Sequence, residues 1–380
     1  MTAEHATASH ATVPEGRAYF PWLDALRGFA AVSVIVYHLV ALANLPVPAT
    51  MPWQWFRFGF LGVDLFFAIS GAVILLALEQ ARQRAPSRYR IEFFRHRLAR
   101  ILPLYLISCT VFVLLVKPDI LQRAHLAHLL LAQLLFVQNL SASTHGVING
   151  PSWSLGLEMQ FYVLMAIGGV LLLKRRGWLL PLLLFAIAIG WRAIVWWQDA
   201  GSHIAAPDPA QFIHASELPG VIDAFAAGML VALWQRRRRA RGDTPNLKLA
   251  LILGALALLC WCGALEWFIA RAADYWTTPS SAIVLRSITA IAGGLTVAAA
   301  FAAPTLRFGR KAMMLAGDLS YGLYLWHMPV LLWLQSRMPT NAPWRFALAV
   351  FALTIALSAL TWFAIERPIL RWARKPRTAS

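Results

Sequence analysis

Long apolar segments recur along this chain and constrain its fold more than any other feature. Ten of them have about 17–24 residues each, enough for a helix to cross the ~30 Å hydrocarbon core of a bilayer. Charged residues make up only 13% of the sequence, against about 25% in a soluble domain. The sequence therefore predicts an all-α, polytopic membrane bundle. The predicted spans are 27–43, 58–78, 99–116, 153–173, 178–197, 217–234, 247–269, 283–303, 313–335 and 344–366.

Residues 124–140 form a weaker apolar segment, because they carry two histidines and two glutamines. Such a composition favours an interfacial or re-entrant helix over a further span. The three cysteines, Cys109, Cys260 and Cys262, all lie in apolar segments and match neither a disulfide framework nor a zinc site. We predict no metal site from this sequence.

Basic residues predict the orientation of the bundle. The net charge of +17 is a property shared by nucleic-acid-binding proteins, but here the basic residues form short clusters between the apolar segments. Most of the 34 Lys and Arg residues fall in alternate loops, whereas the loop 198–216 contains none. By the positive-inside rule, an even number of spans then predicts that both termini are cytoplasmic. Anionic lipid headgroups are the expected partners of these clusters.

Five predicted spans each carry an ionisable residue at a similar depth. At a rise of ~1.5 Å per residue, all five lie about 8–12 Å below the outer end of their span. Burying such groups in a membrane is expensive, and this predicts a water-accessible cavity with acid–base chemistry. A structural polar network that locks the bundle together is the alternative. These residues are His38, Asp64, Glu158, Asp223 and His327.

Arg27 and His38 lie eleven residues apart in the first span. Eleven residues are about three helical turns, which places both side chains on one face with their backbones ~16 Å apart. They can therefore line one channel without touching each other. Asp24, three residues before Arg27, is placed to orient it. An ordinary anchor at the cytoplasmic end of the span is the alternative role for Arg27.

The third span begins with the basic sequence "FFRHRLARILPLY". Helical spacing places Arg97 and Arg100 one turn apart on one side, where their forked donors can bind a polyphosphate. Arg95 extends the same cluster. A signal for membrane topology alone is an equally good interpretation of these arginines.

Seven motifs in order resemble the acyltransferase 3 family of integral membrane acyltransferases. The resemblance covers about residues 20–370 and would define three regions: a disordered cytoplasmic tail 1–18, a membrane acyltransferase domain 19–370 and a basic cytoplasmic tail 371–380. It implies the stand-alone form of the family, without an appended soluble esterase-like domain. The motifs are "LDALRGFAAVSVIVYH", "GFLGVDLFFAISGAVI", "FFRHRLARILPLY", "NGPSWSLGLEMQFY", "DAFAAGMLVA", "SYGLYLWHMPV" and "IERPIL".

This resemblance implies transfer of an acyl group, commonly acetyl, from cytoplasmic acyl-CoA to a hydroxyl of a cell-surface or lipid-linked carbohydrate. It implies no permanently bound cofactor and a multi-pass location in the bacterial inner membrane. His38 becomes the leading catalytic candidate, Arg27 its motif partner, and Glu158 a group that orients the imidazole or takes up its proton. The other implied roles are coenzyme binding by Arg95, Arg97 and Arg100 and a substrate pocket of Asp64, Trp153, Ser154, Asp223, Tyr324, Trp326 and His327.

Several alternatives stay open from the residues alone. His327 could be a buried histidine that donates to a backbone carbonyl, and Glu366 could end the last helix and pair with an arginine. A transporter or flippase that moves a sugar or lipid without chemistry would also use buried carboxylates and histidines. We see no inverted repeat or paired broken helices in support of it. A lipid-binding scaffold does not account for His38 beside so much other buried charge. The acceptor, the acyl group and the oligomeric state are not specified by the sequence.

Overall fold

The computed structural model of the chain describes residues 20–198, 209–305 and 309–373. This part of the chain contains helices and no strand. Tighter or wider helical turns directly precede or follow five of the longer helices, at Gly59–Leu61, Phe112–Val116, Gly150–Ser152, Gly169–Leu173, Ser280–Leu285 and Trp362–Glu366. The helices are α1 (Pro21–Ala43), α2 (Gln54–Arg57), α3 (Gly62–Arg84), α4 (Tyr89–Val111), α5 (Leu126–Leu134), α6 (Trp153–Gly168), α7 (Leu179–Gln198), α8 (Pro209–Ala215), α9 (Leu218–Ala240), α10 (Leu247–Ala270), α11 (Arg286–Ala302), α12 (Arg310–Gln335), α13 (Pro343–Thr361) and α14 (Arg367–Ala373).

Nine helical segments within the described ranges are long and apolar enough to cross a membrane. They coincide with nine of the ten predicted spans, so the prediction of a polytopic helical membrane bundle is confirmed. Helix α12 coincides with the tenth, 313–335, but is less apolar than the others because it carries Asp318, His327 and several aromatic and small residues. Its 26 residues are nevertheless about 39 Å long at 1.5 Å per residue.

The basic clusters are more helical than the sequence pattern suggests. Helix α4 begins at Tyr89, so Arg95 and Arg97 lie on regular helix rather than in a loop before the span. Helices α3 and α9 likewise continue through their terminal arginines. The predicted tail 371–380 begins inside α14, which ends at Ala373. The predicted tail 1–18 and residues 374–380 lie outside the described residues, and the side of the membrane on which the termini lie stays a prediction.

Close helix contacts in the bundle depend on glycine. Gly71 on α3 lies against the backbone carbonyl of Phe225 on α9, and Gly228 on α9 lies against the carbonyl of Ala68 on α3. A Cβ atom at either glycine would overlap that carbonyl. Small residues let membrane helices approach this closely and pack by van der Waals contact. The glycines of "GFLGVDLFFAISGAVI" and "DAFAAGMLVA" therefore set the spacing of α3 and α9.

The segment 124–140 packs against the bundle as a short helix, in agreement with the predicted interfacial or re-entrant helix. Helix α5 has only nine residues. A buried hydrogen-bond network holds the segment and the loop that follows: Tyr105 donates to Gln133, Gln133 donates to the carbonyl of Ile148 at 3.1 Å, and Gln138 donates to the carbonyl of Ser152 at 2.9 Å. Irregular backbone at membrane depth needs such internal partners because lipid offers none.

Candidate active site

A cavity of about 490 Å³ lies inside the bundle and receives residues from several helices and loops. Helix α1 contributes His38, the segment around the start of α3 contributes Asp64, and α11 contributes Arg286 and Thr289. Most of the remaining wall is aromatic or aliphatic. The aromatic residues that line it are Tyr37, Phe60, Trp153, Phe212, Phe268, Tyr275, Trp276 and Tyr324.

His38 forms a hydrogen-bonded dyad with His327. The distance from Nε2 of His327 to Nδ1 of His38 is 3.2 Å. Nδ1 of His38 also lies 2.9 Å from the carbonyl oxygen of Val34, and Nδ1 of His327 lies 2.7 Å from the carbonyl oxygen of Tyr324. His38 lines the cavity, whereas His327 is fully buried behind it.

These partners fix the proton positions of the neutral dyad. A backbone carbonyl only accepts hydrogen bonds, so Nδ1 of His327 carries a hydrogen and its Nε2 is an acceptor. Nδ1 of His38 therefore carries a hydrogen that is shared between Val34 and His327. Nε2 of His38 is left with a free lone pair, and no described residue bonds to it. An imidazole in this state can accept a proton from a ligand in the cavity.

A second hydrogen-bonded group supports the wall beside the dyad. The hydroxyl of Tyr324 lies 2.7 Å from Oγ of Ser154 and donates to the carbonyl of Pro151 at 3.0 Å. Trp153 lines the cavity next to them. The Trp153 ring stacks on His145, with the ring centres 5.6 Å apart. Burial in the loop before α6 lowers the pKa of His145 to about 4, which keeps this imidazole neutral near pH 7.

Asp64 lies on the cavity wall, and its partners are residues that the sequence pattern does not single out. Nη2 of Arg286 lies 3.4 Å from Oδ1 of Asp64, and the Thr289 hydroxyl lies 3.4 Å from Oδ2. Nη1 of Arg286 donates to Ser216 at 2.9 Å. The cavity therefore holds one guanidinium and one carboxylate in addition to the histidine dyad.

Asp223, a predicted substrate-pocket residue, does not line this cavity. Its carboxylate accepts from Nη2 of Arg192 at 2.9 Å and from the Ser287 hydroxyl at 2.7 Å. Arg192 also donates to the carbonyls of Ile283 and Gly220. Both charged side chains are at most 1% exposed. Asp223 is thus one half of a fully bonded ion pair outside the cavity wall.

Three further residues of the predicted substrate pocket also lie off the cavity wall. Ser154, Trp326 and His327 are buried but do not line the cavity. Ser154 supports Tyr324, and the indole of Trp326 donates to the Thr361 hydroxyl at 3.3 Å. Nε2 of His327 contacts Nδ1 of His38, on the side of the His38 ring away from the free Nε2. The polar side-chain atom of each of these residues bonds to a neighbouring helix.

Glu158 occupies a different place from the one predicted. Its carboxylate accepts from Ser70 at 3.0 Å and from the Tyr162 hydroxyl, and no bond joins it to His38 among the described residues. The position next to His38 that was expected for Glu158 is occupied by His327. Arg27 donates to Asp24 at 3.2 Å, in agreement with their spacing on α1.

The three arginines at the start of α4 differ in how many of their N–H groups have hydrogen-bond partners. Arg100 forms an ion pair of 3.2 Å with Glu366, which agrees with the structural role left open for that glutamate. Arg97 lies over the rings of Phe93 and Tyr162, and its Nε is buried without a hydrogen-bond partner among the described residues. Nε of Arg95 is likewise buried without a partner among the described residues, although Nη2 of Arg95 lies 3.6 Å from the Glu92 carboxylate.

Arg192 and Arg286 are charged residues of this region that the sequence pattern of histidines and acidic residues leaves out. Each lies inside a predicted apolar span, at 178–197 and 283–303, and an arginine at such a depth is itself a signal of a buried partner. That signal could have found them. The pairing of Arg286 with Asp64, however, joins residues 222 positions apart, which spacing alone does not reveal.

The bundle and the dyad define a multi-pass membrane protein with a pair of hydrogen-bonded histidines at an internal cavity. The chain matches the model of the acyltransferase domain family known as acyltransferase 3 over residues 20–363. It therefore belongs to this family.

Two curated relatives are similar over nearly the whole chain. The peptidoglycan O-acetyltransferase OatA of Listeria monocytogenes is 28% identical over 94% of this chain, which spans 57% of the relative. The O-acetyltransferase OatA of Staphylococcus aureus is 26% identical over 92% of this chain, again with 57% of the relative covered. The chain thus spans little more than half the length of these relatives. No solved structure matches it.

Proposed function

We propose that this protein is a membrane O-acetyltransferase that transfers an acetyl group to a hydroxyl of a cell-surface carbohydrate. The observation that carries the proposal is the free Nε2 of His38 at a cavity lined by aromatic rings, with Nδ1 held by His327. Membership of the acyltransferase 3 family and similarity to proteins named O-acetyltransferases support it. Aromatic walls suit a carbohydrate because they can cover the apolar face of a sugar ring.

In the proposed reaction, Nε2 of His38 removes the proton from the acceptor hydroxyl while the oxygen attacks the acyl carbonyl carbon. The tetrahedral intermediate then loses the thiolate of an acyl thioester, and the imidazolium returns its proton to that sulfur. The imidazolium is stabilised in the meantime because its Nδ1–H donates to Val34 and His327. General-base catalysis of this kind contributes about 10²–10⁴-fold to a rate.

We propose acyl-CoA as the thioester donor and α4 as its binding element. The unpartnered Nε groups of Arg95 and Arg97 support this, because a phosphate oxygen would satisfy them. Arg27 lies about 16 Å from His38 along α1, a distance that an extended pantetheine arm can cover. Arg100 is less available because Glu366 already binds it.

Membranes that contain the protein, supplied with acetyl-labelled acetyl-CoA and a cell-wall glycan, test both parts of this proposal. We expect label to enter the glycan as an alkali-labile ester in the presence of wild-type protein and not with His38→Ala. The exposed residue His125 provides a control, since His125→Ala should retain transfer. Acetylation in whole cells without transfer from acetyl-CoA would reject this donor. Movement of the glycan across the membrane without any ester would indicate a transporter instead.

A further inference from the structure

Two arginine–aspartate pairs connect the helices beside the cavity, and they differ in how completely they are bonded. Arg192 and Asp223 are at most 1% exposed, and the Arg192 guanidinium donates to two backbone carbonyls, a carboxylate and a hydroxyl. This pair has the bonding of a structural tie between α7, α9 and α11. It leaves little capacity for a ligand.

The second pair, Arg286 and Asp64, is held loosely and faces the cavity. The Arg286 side chain is 17% exposed, and only two of its five N–H groups donate to described residues, namely Ser216 and Asp64. Both contacts to the Asp64 carboxylate are 3.4 Å, well beyond the usual 2.9–3.0 Å of an N–H···O bond. Donors and acceptors of this pair are thus available to a ligand in the cavity.

The charges of the cavity decide which kind of ligand fits. The guanidinium of Arg286 and the carboxylate of Asp64 cancel, and the dyad of His38 and His327 is neutral in the state derived above. A phosphate or carboxylate on a ligand would bind Arg286 only by approaching the Asp64 carboxylate as well. An uncharged pair of adjacent hydroxyls meets no such penalty, because one can donate to the carboxylate while the other accepts from the guanidinium.

We infer that Arg286 and Asp64 bind adjacent hydroxyls of an uncharged sugar unit of the acceptor and thereby hold it in the cavity for acylation at His38. The aromatic wall supports this assignment, since Trp153, Tyr275 and Trp276 line the same cavity and aromatic rings can cover the apolar face of a sugar. The inference rests on the proposed function for the identity of the acceptor class. It assigns this pair to acceptor binding rather than to the donor or to the proton transfer.

Equilibrium binding to detergent-solubilised protein tests the assignment directly. The neutral probe is cellotetraose, an uncharged glucose oligomer with adjacent hydroxyls on every unit, and the anionic probe is the β-1,4-linked glucuronic acid tetrasaccharide, which has the same linkage and a carboxylate on every unit. We expect wild-type protein to bind the neutral probe more tightly than the anionic one, and Asp64→Asn and Arg286→Gln each to weaken that binding at least 10-fold. Arg123→Gln is the matched control, because Arg123 pairs with Asp119 on the exposed surface. All variants should elute as a single species.

The steady-state constants provide a second readout of the same inference. With a fixed donor, Asp64→Asn and Arg286→Gln should raise KM for the acceptor about 10-fold and change kcat and the donor KM by less than 3-fold. Unchanged binding of the neutral probe in both variants would overturn the inference, as would tighter binding of the anionic probe to wild type, or no binding of either probe. If wild-type protein does not transfer an acyl group at all, the proposed function is rejected. The binding measurements would still show whether Arg286 and Asp64 bind a neutral sugar.

Discussion

Asn149 donates from Nδ2 to the backbone carbonyl of Leu325 on α12 at a distance of 3.1 Å. This carbonyl needs a partner because Pro329, four residues later, has no amide hydrogen to donate to it. Asn149 reaches it from a left-handed backbone conformation, with φ of 48°. One side chain thus ties the loop before α6 to the helix that carries His327, within two residues of that histidine.

Asn149→Ala should destabilise the protein by about 1–3 kcal/mol, the usual cost of leaving a buried acceptor unpaired. Denaturant unfolding in detergent measures this loss. The exposed Asn341 provides a control, and Asn341→Ala should have almost no effect. In a Pro329→Ala background α12 can supply its own amide to Leu325, so Asn149→Ala should cost less there. An equal cost in both backgrounds would refute the compensation between Asn149 and Pro329.

Gly228→Ala should separate α3 from α9, because the new Cβ atom would overlap the carbonyl of Ala68. We expect reduced accumulation in the membrane and a broadened elution profile in size-exclusion chromatography. Gly254→Ala on α10 is the control, since a Cβ atom at that position would meet no neighbouring element within 4 Å. It should be neutral or stabilise by up to about 1 kcal/mol through helix propensity. Normal accumulation of Gly228→Ala would show that the two helices can move apart freely.

The ion pair of Arg192 and Asp223 should behave as a structural tie. Arg192→Ala leaves a buried carboxylate without its partner and should cost about 3–5 kcal/mol of stability. Arg271 forms an exposed pair with Asp274, with both side chains more than 40% exposed, so Arg271→Ala should cost no more than about 1 kcal/mol. Replacing both members by Arg192→Met and Asp223→Leu should recover most of the loss. An equal loss of unfolding free energy in Arg192→Ala and Arg271→Ala would contradict a structural role for the buried pair.

Stability should depend on pH through His145. The pKa of its imidazole falls from the ordinary 6.5 to about 4 because the folded protein buries it. The unfolded chain then binds more protons than the folded one between these two values, so stability is complete above pH 6.5 and falls as the pH drops toward 4. His145→Gln removes this contribution. The difference in unfolding free energy between wild type and His145→Gln should therefore be constant above about pH 6.5 and change below it, whereas a constant difference from about pH 7 to pH 4 would contradict the burial.

Much of the fold followed from hydrophobic segment length. The membrane requires long apolar helices, and so nine predicted spans coincide with helical segments of the structure. The extents were less predictable: α4 begins ten residues before its predicted span at 99, because the basic residues continue the helix outside the apolar region. Helix α12 can carry more polar residues than the other predicted spans because some of them, such as His327 and Ser320, are buried inside the bundle.

The site was predictable in its residue types and less so in its pairings. The depth of His38, Asp64 and His327 indicated a shared polar region, and the structure brings His38 and His327 into contact. Depth along a span does not report rotation about the helix axis. Glu158 and Asp223 therefore bond to Tyr162 and Arg192 and do not line the cavity.

The unprotonated Nε2 of His38, with Nδ1 held by His327, is the group on which the proposed acyl transfer depends most. The most direct measurement is kcat for acetyl transfer by purified protein in liposomes at saturating donor and acceptor. We predict that His38→Gln lowers kcat at least about 100-fold, with both KM values within 3-fold of wild type. His327→Leu should lower kcat less than His38→Gln does, and His327→Gln should have a kcat between those of His327→Leu and wild type. Wild-type kcat in the His38→Gln variant would contradict this mechanism.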